Sequence, residues 1–120
     1  MNKQAIVNEL ASLYPGKPIK LVPENAPTEI VCEFEHHPEW SMAVAVIDRG
    51  VPHFHRKITE VYHVIKGTLK LHVEQDVFEM YEGQQFTVVP GKIHWAEGNE
   101  TWVEVYCNPA WSPDDHILAE

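Results

Sequence analysis

Only two cysteines, Cys32 and Cys107, occur in the 120 residues. That excludes a disulfide-rich scaffold, and with no export signal two reduced thiols are expected. The N-terminus, Met-Asn-Lys-Gln-Ala-Ile-Val-Asn-Glu-Leu, lacks the apolar stretch of a signal peptide. No apolar run exceeds Met42 to Ile47, far short of the ~20 residues a membrane helix needs. A cytoplasmic chain with no membrane partner is the expectation. Basic residues are also few, with 9 Lys and Arg against 18 Asp and Glu and a formal charge of −9. Such a surface repels phosphate backbones, so nucleic acid is not expected as a partner. The acids are scattered and form no tail. No Gly-x-Ser-x-Gly, P-loop or dinucleotide fingerprint is present, nor any internal repeat.

What the chain does have is apolar bulk. Hydrophobic residues make up 44%, with four each of Trp, Tyr and Phe, enough for one compact core. One domain over residues 1–120 is expected: a helix and turn over 1–16, strands over 17–107, and a tail over 108–120. Ile6, Val7, Leu10 and Leu13 recur at helical spacing, and Tyr14-Pro15-Gly16 stops that helix. Thr28 to Glu35 alternates apolar with acidic and predicts a strand with one wet face. Ser41 to Asp48 predicts a buried strand. Further strands are expected at Thr59 to Lys66, Thr68 to Glu74, Val77 to Tyr81 and Gln85 to Val89. A pair at His94 to Glu97 and Thr101 to Cys107 follows, and then a loop-like tail. Gln75-Asp76, Glu82-Gly83 and Pro90-Gly91 supply turns. Many short strands after one helix indicate an all-β sandwich or barrel, and a jelly-roll barrel suits the count because closure removes exposed edges.

The chemically loaded stretch runs from Gly50 to Gly67. His53 and His55 are two apart, so on a strand both imidazoles face one side. Glu60 begins the next strand, and Arg56 to Thr59 can turn the chain to bring its carboxylate back. His94 follows Pro90-Gly91, which can set it at the head of a strand. Three imidazoles and a carboxylate are a common ligand set for one divalent transition metal. Any one of these residues alone is ordinary surface decoration. The combination points to metal.

The combination also resembles the cupin family. Gly50, His53, His55, Glu60 and Gly67 are similar to the first cupin motif, and Gly83, Pro90, Gly91 and His94 to the second. The resemblance spans roughly residues 41 to 107. It implies a cupin double-stranded β-helix (jelly-roll) barrel, here with a short N-terminal helix, a metal inside the barrel, and a homodimer. Asn99 sits one place beyond the usual second-motif Asn and is not counted among the ligands.

Four protein ligands leave room for a small-molecule substrate on the metal, which would act as a Lewis acid or activate water. Fe, Mn, Ni, Co and Zn all suit the ligand set. Strand parity places Tyr62 and Val64 on the same side as Glu60, with Val61, His63 and Ile65 opposite. Tyr62 is therefore the candidate catalytic acid or base, against the plainer reading of an aromatic that packs the barrel. Ile93 and Trp95 are expected to face outward, toward another sheet or subunit. His36, His37, His63, His72 and His116 are not expected to be ligands. The functional expectation is a small metal-dependent enzyme acting on a carboxylate or carbonyl compound, of dioxygenase, decarboxylase, isomerase or lyase type. The alternative is a non-enzymatic cupin that binds or senses a small molecule.

Overall fold

The structure is a computed structural model that describes residues 1–119. One helix, α1 (Lys3–Leu13), precedes ten strands: β1 (Ile19–Val22), β2 (Glu29–His36), β3 (Ser41–Arg49), β4 (His53–Phe54), β5 (Thr59–Lys66), β6 (Leu69–Val73), β7 (Asp76–Met80), β8 (Gln85–Val88), β9 (His94–Asn108) and β10 (Ile117–Leu118). The Asn2 side chain caps α1 by accepting from the Ala5 N–H at 3.2 Å. At the other end the Tyr14 N–H donates to the Leu10 carbonyl, and Gly16 takes a left-handed φ of 78° that lets the chain turn into β1.

All strands join one curled antiparallel sheet in the order β1-β2-β3-β9-β4-β10, with β5 between β8 and β9 and β7 beside β6. The curl encloses an apolar interior of Ala45, Ile47, Tyr62, Val64, Leu69, Leu71, Val88, Ala96 and Val103. The other face of β2, β3 and β9 carries Ile30, Cys32, Val44, Val46 and Trp102, and α1 seals it with Ile6 and Leu10. This is the jelly-roll layout expected from the strand count, with the helix outside the barrel.

Three local expectations need correction. The strand pair expected at 94–97 and 101–107 is one strand, β9, which bends at Gly98 without leaving the sheet. A Cβ at Gly98 would lie 2.4 Å from Thr101 Oγ1 and 2.8 Å from the Ile47 carbonyl oxygen, so only glycine admits the close approach at the bend. The turn expected at Gln75-Asp76 falls one residue earlier. Val73 pairs with Asp76, and Glu74 takes the left-handed φ of 55°. The tail is not simply loop. It forms a 3₁₀ turn (Pro113–Asp115), with Ser112 Oγ accepting from the Asp114 N–H, and then β10, which pairs with β4.

The face of β2 expected to be wet is so toward its C-terminal end, where Glu35 is exposed and Glu33 reaches the exposed His36. Ile30 and Cys32 pack under α1, while Val31 packs on the barrel interior. By alternation Glu29 and Glu33 share the inward face with Val31, opposite Ile47 and Ala43 of β3. At Glu29 the polar side of this strand lines the barrel.

Candidate metal centre

One long-range strand pairing and one short turn bring the four candidate residues together. His53 on β4 pairs directly with His94 at the head of β9. The turn after His55 returns the chain to Glu60, which pairs with Cys107 on β9 and Val88 on β8. One ligand atom from each of His53, His55, Glu60 and His94 lies within 4.8 Å of all the others. His55, Glu60 and His94 are buried, and His53 is half-buried.

The hydrogen bonds select a common ring orientation. His53 Nδ1 lies 2.8 Å from the Val51 carbonyl, His94 Nδ1 lies 2.9 Å from the Lys92 carbonyl, and His55 Nδ1 contacts the Asp115 carbonyl. A carbonyl only accepts, so each Nδ1 carries the proton and each Nε2 is left toward the shared centre. His94 Nε2 stands 2.8 Å from Glu60 Oε1, and His55 Nε2 stands 3.5 Å from the same oxygen. The longer separation is beyond hydrogen-bond reach, and buried His55 Nε2 has no hydrogen-bond partner. An orphaned buried acceptor is costly. A cation at the centre would satisfy it, along with the other two imidazoles and the carboxylate. Ligand atoms on bonds of about 2.0–2.2 Å sit roughly 3 Å apart at right angles, which matches the His94–Glu60 spacing. The residues therefore fit a divalent metal, and this group could hold one.

The electrostatics are those of a concentrated charge cluster. Burial alone would raise the Glu60 carboxyl, but the His55 and His94 imidazoles outweigh it and hold the group well below the usual carboxylate range. Burial pushes His53 down to about 4, with His94 adding to the fall, so this imidazole stays neutral and available as a ligand. The Cys107 thiol is pushed up by burial and by Glu60, whose Oε2 lies 3.6 Å from Sγ. It is a protonated donor that braces the carboxylate.

Tyr62 lies on the same inner wall as Glu60, edge-on to His94 with ring centroids 5.9 Å apart. Burial, then Glu60 and Glu29, raises its pKa well above the ordinary phenol value. The side chain is a neutral phenol. His63 and His72 turn outward, His63 toward Glu104 and His72 onto Glu97, and His36 and His37 are exposed beside Glu33 and Glu35. Trp95 also faces outward, but it is sandwiched within the chain between the His72 ring at 3.8 Å and the Arg49 guanidinium at 4.5 Å. It therefore has partners of its own.

Several side chains at the site were not anticipated. His116 stacks on His53, with centroids 4.3 Å apart and planes 26° from parallel, and its buried Nδ1 has no partner. Trp111 lies 5.8 Å from His116, and the Lys20 ammonium sits 5.2 Å from the Trp111 ring centre. Lys20 and Glu29 are diagonal neighbours on the inner face of β1 and β2. Burial pushes Glu29 up to about 7, with Glu60 adding to the rise and Lys20 opposing it. The alternation of β2 is the sequence signal for Glu29, and it marks a polar face without saying whether that face meets water or the barrel interior.

No protein-family model matches the sequence, and no curated protein matches it. Solved structures do. A variant of Streptomyces PAC13 with uridine aligns at TM-score 0.78 and 14% identity, covering 89% of this chain and 88% of that one. KdgF from Halomonas sp. aligns at 0.70 and 19%, covering 81% and 91%. An RmlC-like cupin from Shewanella frigidimarina aligns at 0.68 and 17%, covering 82% and 88%. At such identities the likeness shows the fold, and the fold is of the cupin type.

Proposed function

We propose that the protein is a metal-dependent cupin enzyme that acts on a small carboxylate or carbonyl compound. The observation that carries this reading is the convergence of His53, His55, Glu60 and His94 within 4.8 Å on the barrel wall, with His55 Nε2 buried and unpartnered. A divalent ion held there supplies Lewis-acid polarisation of a substrate oxygen or activation of a water. The chain's own groups supply the rest. Tyr62, a neutral phenol on the same wall, is suited to hand a proton to a developing oxyanion or to hydrogen-bond it. Lys20 brings positive charge to the rim of the same interior and suits the carboxylate end of a substrate. Phe86 and Phe78, with ring centroids 4.5 Å apart, give the interior an apolar edge. The PAC13 variant holds uridine, and a small polar molecule is the class proposed here as well.

The same reading includes a homodimer and a reducing, cytoplasmic setting. Cys32 and Cys107 are both free thiols, which suits such a compartment. No helix among the described residues is long and apolar enough to cross a membrane. The outer face around Val61, His63, Met42 and Tyr106 forms a groove that suits a second copy, and light scattering at twice the chain mass would support it.

The test is metal analysis of untagged protein, followed by a screen of small carboxylates and carbonyl compounds with the metal found. Tyr62→Phe should keep metal content and lower turnover by roughly 10²–10⁴-fold, the usual worth of a positioned proton-transfer group. Unchanged turnover would return Tyr62 to packing. Tight ligand binding with no turnover across the screen would favour the non-enzymatic binding module.

A further inference from the structure

The C-terminal tail reaches the candidate metal centre from 60 residues away in sequence. Asp115 holds it there with two different groups. Its carboxylate accepts three backbone N–H groups in a row: Arg56 at 2.7 Å, Lys57 at 2.9 Å and Ile58 at 3.0 Å. These residues form the turn between His55 and Glu60. Its backbone carbonyl accepts the His55 Nδ1–H. The next residues fasten the tail: Ile117 pairs with Phe54, Leu118 with His53, and the Ala119 N–H donates to the Pro52 carbonyl at 3.0 Å. Between these anchors His116 lies flat on His53.

Each contact lands on a ligand or on the chain that joins two ligands. A charged acceptor facing three consecutive N–H groups fixes the backbone of that turn, and so fixes the offset of Glu60 from His55. A carbonyl on Nδ1 fixes the tautomer and tilt of the ligand ring. Outer groups of this kind commonly tune metal affinity by about 10- to 100-fold. We propose that Asp115 is a positioning residue for the metal centre, and that the tail from Ser112 to Ala119 is a strap whose ordering and metal binding are thermodynamically coupled. This rests on the metal reading given above.

Coupling makes the strap a reporter as well as a support. If an ordered strap raises metal affinity by some factor, bound metal must favour the ordered strap by the same factor. A side chain that only stabilised the fold would leave metal affinity unchanged, and metal would slow exchange at the strap no more than at amides that open by global unfolding.

The experiment uses the full chain and Zn(II) alone. Zn(II) affinity is measured by competition with a chromophoric chelator for wild type, Asp115→Ala, Asp115→Asn and Leu10→Ala. Amide hydrogen exchange is followed in wild type with and without Zn(II). Asp115→Ala should weaken Zn(II) binding by about 10- to 100-fold. Asp115→Asn, which keeps one side-chain acceptor oxygen, should fall between it and wild type. Leu10→Ala, on the buried side of α1, should destabilise the fold yet bind Zn(II) with wild-type affinity. In wild type, Zn(II) should slow exchange at the amides of Arg56, Lys57, Ile58 and Ala119 more than at the amides of α1. The hydrogen-exchange arm needs no variant, so it stands even if Asp115→Ala fails to fold. Zn(II) binding by wild type, with these amides unmoved and Asp115→Asn within twofold, would overturn the strap and leave the metal site intact. Absence of Zn(II) uptake by wild type would sink the metal reading and the strap with it.

Discussion

The two faces of β2, β3 and β9 are built from the same strands and do opposite work. Under α1 the buried positions are apolar: Ile30, Cys32, Val44, Val46 and Trp102 meet Ile6 and Leu10. On the barrel side the same strands carry Glu29, Glu33, Ser41 and Cys107 among their apolar positions, close to the four side chains that could hold a metal. Burial of apolar surface favours folding by roughly 25 cal/mol per Å², whereas each buried polar group costs free energy unless it is paired. Both faces thus gain stability from apolar burial. The barrel face also gives some up at its polar positions, and what it gains there is chemical. If this division holds, damage to one face should leave the readout of the other unmoved.

The largest expected effect is on the barrel face. His53→Ala combined with His94→Ala removes the imidazole pair that bridges β4 and β9. Wild-type protein, stripped with a chelator and reloaded, should take up about one equivalent of divalent metal per chain. The double variant should take up none, while its far-ultraviolet circular dichroism remains that of the folded barrel. Uptake at wild-type affinity would end the assignment of these ligands. The reverse damage is Leu10→Ala. Leu10 is fully buried at the centre of the α1 face, so the change should cost about 2–5 kcal/mol in urea unfolding. Metal stoichiometry should stay at wild type. A variant that lost both stability and metal would show that the two faces are not separable.

How much of this was legible in the sequence depended on distance along the chain. Of the four candidate ligands, His53, His55 and Glu60 were legible together because their relations are local, a two-residue strand period and a short turn; His94, 34 residues beyond Glu60, was legible through its place after Pro90-Gly91 in the second cupin-like motif. The inward parity of Glu60, Tyr62 and Val64 followed from the same period and agrees with their burial. The strap was not legible. β4 and β10 are two residues each, too short to display alternation, and nothing near Asp115 announces a partner 60 residues earlier. Parity also has a blind side. The alternation of Glu29, Glu33 and Glu35 shows that β2 has a polar face, but a barrel lumen and bulk water leave the same pattern. The outward Trp95 was legible as outward, while its partners His72 and Arg49 lie on β6 and β3. The bend in β9 looked like a strand break because Gly98, Asn99 and Glu100 read as turn residues.

Metal removal should have a smaller effect than Leu10→Ala, and it would sharpen the comparison by isolating the barrel face. A ligand that binds only the folded state stabilises it by mass action, by about 2.7 kcal/mol at a hundred times its dissociation constant. Stripped protein should therefore melt several degrees below the loaded form, at roughly 4–8 °C per kcal/mol for a domain near this size. The His53→Ala, His94→Ala variant should melt at the same temperature with and without metal. Coincident melting of the two wild-type forms would mean that metal contributes nothing to the barrel face.

The smallest expected effect concerns Glu29, which places a carboxyl on the inner wall where the α1 face would have an apolar group. Its ordinary value is 4.5, and burial, reinforced by Glu60, raises it to about 7 in the folded protein. A raised carboxyl binds its proton more tightly folded than unfolded. Its favourable contribution is therefore complete below pH 4.5 and is lost as pH rises through 7, where the folded state must hold the charge in the wall. Glu29→Gln keeps the shape and removes the charge. In metal-free protein the variant should exceed wild type at pH 8 by roughly 1–2 kcal/mol, a figure reduced for the water that reaches a half-buried carboxylate. At pH 5, where the folded wild type already carries the proton, most of that difference should vanish. Urea unfolding of the pair at the two pH values reads the contrast directly. An equal difference at both would mean that Glu29 affects stability through packing alone. A growing advantage toward acid would reverse the sign and place the carboxylate in a stabilising pair with Lys20.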